Sequence, residues 1–172
     1  TVQSQFGPVI ARPMDKVDHY VKRCVGIPGD TLLIENGVLY VNGTAAPVYK
    51  WQQSSYTVAT NGSRINPRRL ADLGVNEAET QYNAAAAVYP AMNMTADQAK
   101  AVGTLANVVS VQPNVDIFPE DCQEFYDWVF PFSEGCHWTR DNYGPLWIPS
   151  AGTTVALDRT TLPLYERIIT AY

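Results

Sequence analysis

Two runs of β-prone residues, Thr31-Leu32-Leu33-Ile34-Glu35 and Val38-Leu39-Tyr40-Val41, flank Asn36-Gly37. Two such runs separated by Asn-Gly predict a β-hairpin closed by a type I′ turn, because both central residues must take positive φ. A second Asn-Gly, Asn42-Gly43, closes the unit. Ahead of it, Tyr20-Val21-Lys22-Arg23-Cys24-Val25 reads as a strand that runs into a tight turn at Pro28-Gly29-Asp30. Residues 1–16, punctuated by Gly7-Pro8 and Arg12-Pro13, read as irregular.

The texture changes near Tyr56. Tyr56-Thr57-Val58-Ala59-Thr60 is strand-like, and Asn66-Pro67 opens a short helix through Leu70 and Leu73, with Asn66 as cap and Pro67 at the first helical position. Residues 84–88 favour helix and residues 89–94 favour strand. Thr95 caps a further helix through Leu105, and Val108-Val109-Ser110-Val111 reads as a strand. This alternation predicts a small α/β unit set into a β framework. Residues 113–143 are loop-rich and aromatic, with Phe118, Trp128, Phe132, Trp138 and Tyr143 among their rings; these pack a lid or a seam, or form a peptide-binding surface. Gly144-Pro145-Leu146-Trp147-Ile148-Pro149 and Thr153-Thr154-Val155-Ala156-Leu157 read as short strands. Residues 163–172 read as an amphipathic helix with Leu164, Ile168 and Tyr172 on one side. The expected class is α+β: a mostly β core from residues 1–50 and 141–172, with residues 51–140 as an inserted α/β and aromatic loop-rich domain.

Composition narrows the function classes. With 46% apolar and 17% charged residues, the 172-residue chain can bury a core. Its net charge of −5 provides no basic surplus to neutralise phosphates, so no nucleic-acid partner is expected. No stretch reaches the roughly 18 apolar residues that a membrane helix needs. Cys24, Cys122 and Cys136 form no CxxC pair, and neither a structural zinc site nor any cofactor is expected. Cys122 and Cys136 flank the aromatic segment and could pair in an oxidising compartment, or remain two thiols. His19 and His137 have no clustered partners and read as surface or packing residues. Thr1 in place of Met predicts a processed or excised piece of a longer polypeptide.

One segment carries candidate chemistry. In a strand, Tyr20, Lys22 and Cys24 share a face. If that face is buried, the ammonium form of Lys22 is disfavoured, and a neutral amine is a competent general base for a hydroxyl nucleophile. An isolated lysine whose head reaches water is the more ordinary case, so pattern alone assigns nothing.

The continuous run Tyr20-Val21-Lys22-Arg23-Cys24-Val25-Gly26-Ile27-Pro28-Gly29-Asp30 resembles the lysine box of bacterial type I signal peptidases, Y-[VI]-K-R-x-[VI]-G-x-P-G-D. The likeness extends into the Asn-Gly hairpin. Arg12-Pro13-Met14-Asp15-Lys16, Asp141-Asn142-Tyr143-Gly144-Pro145-Leu146-Trp147-Ile148-Pro149 and Leu162-Pro163-Leu164-Tyr165-Glu166-Arg167-Ile168-Ile169 are similar to the large-insert branch of that family. The resemblance implies that Lys22 is the general base of a Ser–Lys dyad and that Tyr20 packs its amine. It implies that Arg23 pairs with an acidic residue of a later box. Gly26, Pro28, Gly29 and Asp30 would shape the turn. It further implies hydrolysis of exported preproteins after a small-residue site, at the extracytoplasmic face of the bacterial cytoplasmic membrane, with membrane attachment through a segment outside this chain.

The chain departs from the family pattern in two places. No serine stands in the S-M-x-P surroundings of the family nucleophile, and the later G-D-N-R-x-N-S-x-D-S-R box is missing. The 172 residues alone are therefore expected to be inactive. Two other readings remain at this level: a non-catalytic peptide-binding module, and a different Ser–Lys protease such as the self-cleaving repressor relatives, which lack a continuous lysine box.

Overall fold

The computed structural model describes residues 21–76, 80–118, 129–133 and 136–171. Seven strands and three helices lie among them: β1 (Thr31–Glu35), β2 (Val38–Val41), β3 (Thr44–Ala45), β4 (Gln53–Thr60), α1 (Pro67–Asp72), β5 (Val88–Thr95), α2 (Ala96–Gly103), β6 (Val108–Pro113), β7 (Tyr143–Trp147) and α3 (Leu162–Ala171). The strands form two antiparallel sheets, a four-stranded one ordered β3-β2-β1-β7 and a three-stranded one ordered β5-β4-β6. The fold is α+β and mostly β.

The predicted hairpin forms with Leu33 opposite Tyr40 and Glu35 opposite Val38. Asn36 and Gly37 take φ of 49° and 78°, the type I′ geometry that matches the right-handed twist of the strands. Asn42 and Gly43 repeat it at 51° and 78°, turning β2 into β3. On its other side β1 pairs with β7, with a bulge between Leu32 and Ile34.

The second sheet holds the buried core. Val58, Ile65, Leu70, Val75, Tyr89, Met92, Met94, Ala99 and Val102 pack together from β4, β5, both short helices and their connections. Asn66 caps α1 through Arg68 N, and Pro67 occupies the first turn. Thr95 and Gln98 form a reciprocal capping box on α2. The Gln98 amide then donates to the carbonyls of Leu73 and Gly74, tying α2 to the end of α1. The buried Tyr89 hydroxyl accepts a bond from Ile65 N, so its polar tip is satisfied inside the core.

Three expectations about local structure need correction. Residues 21–27 form no strand. A strand exists only as a partner in a ladder, and β1, the nearest strand in sequence, is already flanked on both edges by β2 and β7. Residues 84–87 form a turn, not helix. The Asn83 carboxamide accepts from Ala85 N and Ala86 N, while Asn83 and Val88 pair across the turn, and these bonds replace helical ones. Residues 153–158 are irregular in place of the expected strand; there Ser150 and Thr153 bond to each other and Asp158 caps the approach to α3. Residues 1–16 lie outside the described residues.

The two sheets meet at a polar joint built from the chain after β6 and the chain before β7. Asp116 N donates to the Asp141 carboxylate at 2.8 Å. The Asp116 carbonyl accepts from Thr139 Oγ1 and from the Asn142 amide. The same short stretch holds the tip of the first hairpin, with Asn36 N donating to Asn142 Oδ1 at 3.1 Å and Gly37 N to the Asp141 carbonyl at 2.8 Å. Arg140 Nε reaches the Asp116 carboxylate at 3.2 Å from a largely exposed position.

Candidate active site

The segment that carries the expected base leaves an irregular stretch and locks at a turn. Gly29, at φ 99°, makes the turn after Pro28 in a conformation that disfavours a side chain. Its N–H donates to the Ile148 carbonyl at 2.7 Å, and Ile148 N donates back to the Asp30 carbonyl at 2.8 Å. These two bonds fasten the turn to the strand end of β7. Gly26 lies so close to the same place that a Cβ there would stand 2.8 Å from Ile148 Cδ1 and 3.0 Å from a Leu32 methyl.

Asp30 is the hub of this turn. Its carboxylate accepts from Ile27 N at 2.9 Å and from Asn42 Nδ2 at 2.8 Å, while Asn42 Oδ1 accepts from Thr31 N. The lysine-box turn and the second Asn-Gly turn are thereby joined through one carboxylate. The Ile27 amide first, and the Asn42 amide second, hold the Asp30 carboxyl below the ordinary carboxylate range. The bonded form is the ionised one, so its contribution to stability is complete above the unfolded-chain value of about 3.9 and is lost as pH falls below that through the folded value. The stability difference between the wild type and Asp30→Asn is therefore expected to be full at neutral pH and to shrink below about pH 4. Melting curves across pH check this, and a difference that stays constant down to about pH 2 would overturn it.

The base-bearing stretch is open. Lys22, Arg23 and Cys24 are exposed, and the buried face that would surround the Lys22 amine does not form among the described residues. Tyr20 lies outside the described residues. The Arg23 guanidinium sits 3.9 Å from the centre of the Tyr49 ring, a cation–π contact, and meets no carboxylate among the described residues. Cys24 Sγ donates to the Gly26 carbonyl at 3.1 Å. Cys136 carries a free thiol pushed up by burial, and Cys122 lies outside the described residues. His137 stacks on Phe118 with ring centres 4.3 Å apart.

Arg23, Val25, Leu39, Pro47 and Tyr49 line two adjoining depressions of about 350 and 300 Å³ on the open side of the hairpin. Sequence reasoning missed Tyr49 as the partner of Arg23 and missed Asn42 as the partner of Asp30. The first has no sequence signal, since a tyrosine in an ordinary loop announces nothing. The second could have been suspected from an asparagine in a turn next to a strand whose first N–H needs an acceptor.

The family model described as signal peptidase, peptidase S26, matches residues 5–109, well over half of the chain. The chain belongs to the signal peptidase family. That span contains the lysine-box turn, the hairpin, and the strands and helices through the start of β6; residues 140–172 lie beyond it. A signal peptidase I from Bacillus amyloliquefaciens is 44% identical over 48 residues, covering 24% of this chain and 26% of that relative. The match thus spans about a quarter of the curated relative's length. No solved structure matches. Among the described residues no helix is long and apolar enough to cross a membrane, and no group of His, Cys, Asp or Glu side chains is placed to hold a metal ion.

Proposed function

We propose that this signal peptidase family member removes signal peptides from exported preproteins by Ser–Lys hydrolysis, with Lys22 as general base and a serine outside these 172 residues as nucleophile. The observation that carries the reading is the unbroken lysine-box run around Lys22, inside the family-matched span and followed by a rigidly bonded turn at Gly29 and Asp30. The serine Oγ attacks the scissile carbonyl carbon while its proton passes to the Lys22 amine. Collapse of the tetrahedral intermediate breaks the C–N bond, and that proton leaves with the new amine. Water then attacks the ester carbon, giving one proton to the Lys22 amine, which passes it to the serine Oγ as the acyl C–O bond breaks and the carboxylic acid leaves.

Lys22 is exposed on an irregular stretch. In this reading the strand that brings the serine packs beside residues 21–25, supplies the missing ladder, and desolvates the amine. Residues 51–140 form the insert, and the protein is membrane-attached with this part on the extracytoplasmic side. The exposure of Lys22 favours a second reading, a peptide-binding module without catalysis. The full-length protein incubated with a preprotein decides between them by mass spectrometry. A single cut after a small residue at the end of the signal peptide is the expected result. Binding without a cut would favour the module.

A further inference from the structure

A cleft of about 920 Å³ lies between the tip of the first hairpin and the open end of the three-stranded sheet. That volume falls at the upper end of the range of ligand sites, about 300–1,000 Å³. Asn36 comes from the hairpin tip, Gln53, Ser54 and Tyr56 from β4, and Asn93 from β5. The side chains of Asn36, Gln53, Ser54 and Asn93 make no hydrogen bond within the chain among the described residues. Their surroundings are fixed: Asn114, on the same wall, is held by Ser55, Thr57 and the Pro90 carbonyl, and the joint through Asp116 and Asn142 holds the hairpin tip in place.

The cleft does not stand apart from the lysine-box segment. It shares Gly37, Val38, Val48 and Gln52 with the 300 Å³ depression, which in turn shares Arg23, Val25, Leu39 and Tyr49 with the 350 Å³ depression beside Cys24. The lining therefore runs without a break from the neighbours of Lys22, over an apolar stretch, to a cleft that carries the unbonded amides of Asn36, Gln53 and Asn93 beside Asp116, Asp141 and Arg140.

We propose that this cleft holds the mature-side segment of the preprotein, in extended form, during processing; the inference rests on the peptidase reading above. Mature sequences differ from one exported protein to the next, so a site that accepts them must read what they share, the peptide backbone. Carboxamides suit that task because each offers a donor and an acceptor, matching the N–H and C=O of successive residues. An apolar signal segment, by contrast, would leave these polar groups unpaired on its removal from water.

The test uses the full-length protein bearing Lys22→Ala, so that bound peptide is not cut, and two fluorescein-labelled peptides. One ends at the cleavage point; the other continues through eight residues of the mature chain. The longer peptide is expected to bind about tenfold more tightly, the equivalent of one or two net hydrogen bonds. Adding Gln53→Ala and Asn93→Ala is expected to remove that gain and leave the shorter peptide's affinity unchanged. Both side chains are exposed and unbonded, so circular dichroism should be unaltered. If the longer peptide gains nothing, or the gain survives both substitutions, the cleft assignment falls while binding of the shorter peptide keeps the peptidase reading alive. Binding of neither peptide removes both. Displacement of the longer peptide by an N-acetylglucosamine oligomer would reassign the cleft to carbohydrate.

Discussion

Replacing Lys22 with alanine in the full-length protein is expected to lower the rate of preprotein cleavage by about 10² to 10⁴-fold, the usual contribution of a general base. The protein should remain folded. Within these 172 residues Lys22 is exposed and residues 21–27 belong to no strand or helix, and the substitution removes one polar side chain and no backbone bond. Lys22→Arg is expected to be as inactive as Lys22→Ala, because a guanidinium stays protonated at any working pH and cannot accept the serine proton. The pair separates chemistry from charge: an electrostatic role would be rescued by arginine. Steady-state cleavage of a preprotein, with thermal melting as the control for folding, reads both variants. A wild-type rate for Lys22→Ala would end the dyad assignment.

The largest effect on stability is expected at Gly144. Its φ of 99° lies in a region that side chains rarely adopt, and a Cβ built there would stand 2.6 Å from the Leu32 carbonyl oxygen and 3.3 Å from Leu33 Cα. Both neighbours are backbone of β1, at the bulge where β1 meets β7, so neither can rotate away. Gly144→Ala combines a strained backbone with overpacking, each costing about 1–3 kcal/mol, for a total of roughly 2–6 kcal/mol. The damage should be confined. The nine buried core residues among those described belong to the unit around β4, β5 and β6, so that sheet keeps its own support. Amide hydrogen exchange locates the effect: faster exchange in β1, β7 and at Gly29, whose N–H depends on the Ile148 carbonyl, with little change in β4. Unchanged protection along β1 would show that the ladder tolerates a side chain there.

The parts of the fold that were readable in the sequence are those where local chemistry decides. Asn36-Gly37, Asn66-Pro67 and Thr95 each fix a turn or a helix start through their own side chains or φ preference, and all three appear in the structure. The strand–helix alternation from β4 to β6 followed from them. The misreadings fall where a distant partner decides. Residues 20–25 have the composition of a strand, yet residues 21–27 lack a ladder partner in the structure. Residues 84–87 have helical composition, yet Asn83 and Val88 close the chain into a turn. The site divides in the same way. The lysine-box motif was visible as a run of residues, whereas the contacts of Arg23 with Tyr49 and of Asp30 with Asn42 depend on how the hairpin folds back. Asp116 could not have been picked out, because its importance comes from what lies across the joint, 25 residues away at Asp141.

That joint has a consequence for solution behaviour. Its one ion pair among the described residues, Arg140 with Asp116, has an arginine side chain that is 77% exposed, and such pairs contribute little and are screened by added electrolyte. The remaining ties are short-range bonds from backbone amides, a hydroxyl and a carboxamide, which mobile ions scarcely weaken. The angle between the two sheets should accordingly hold from dilute buffer to molar salt.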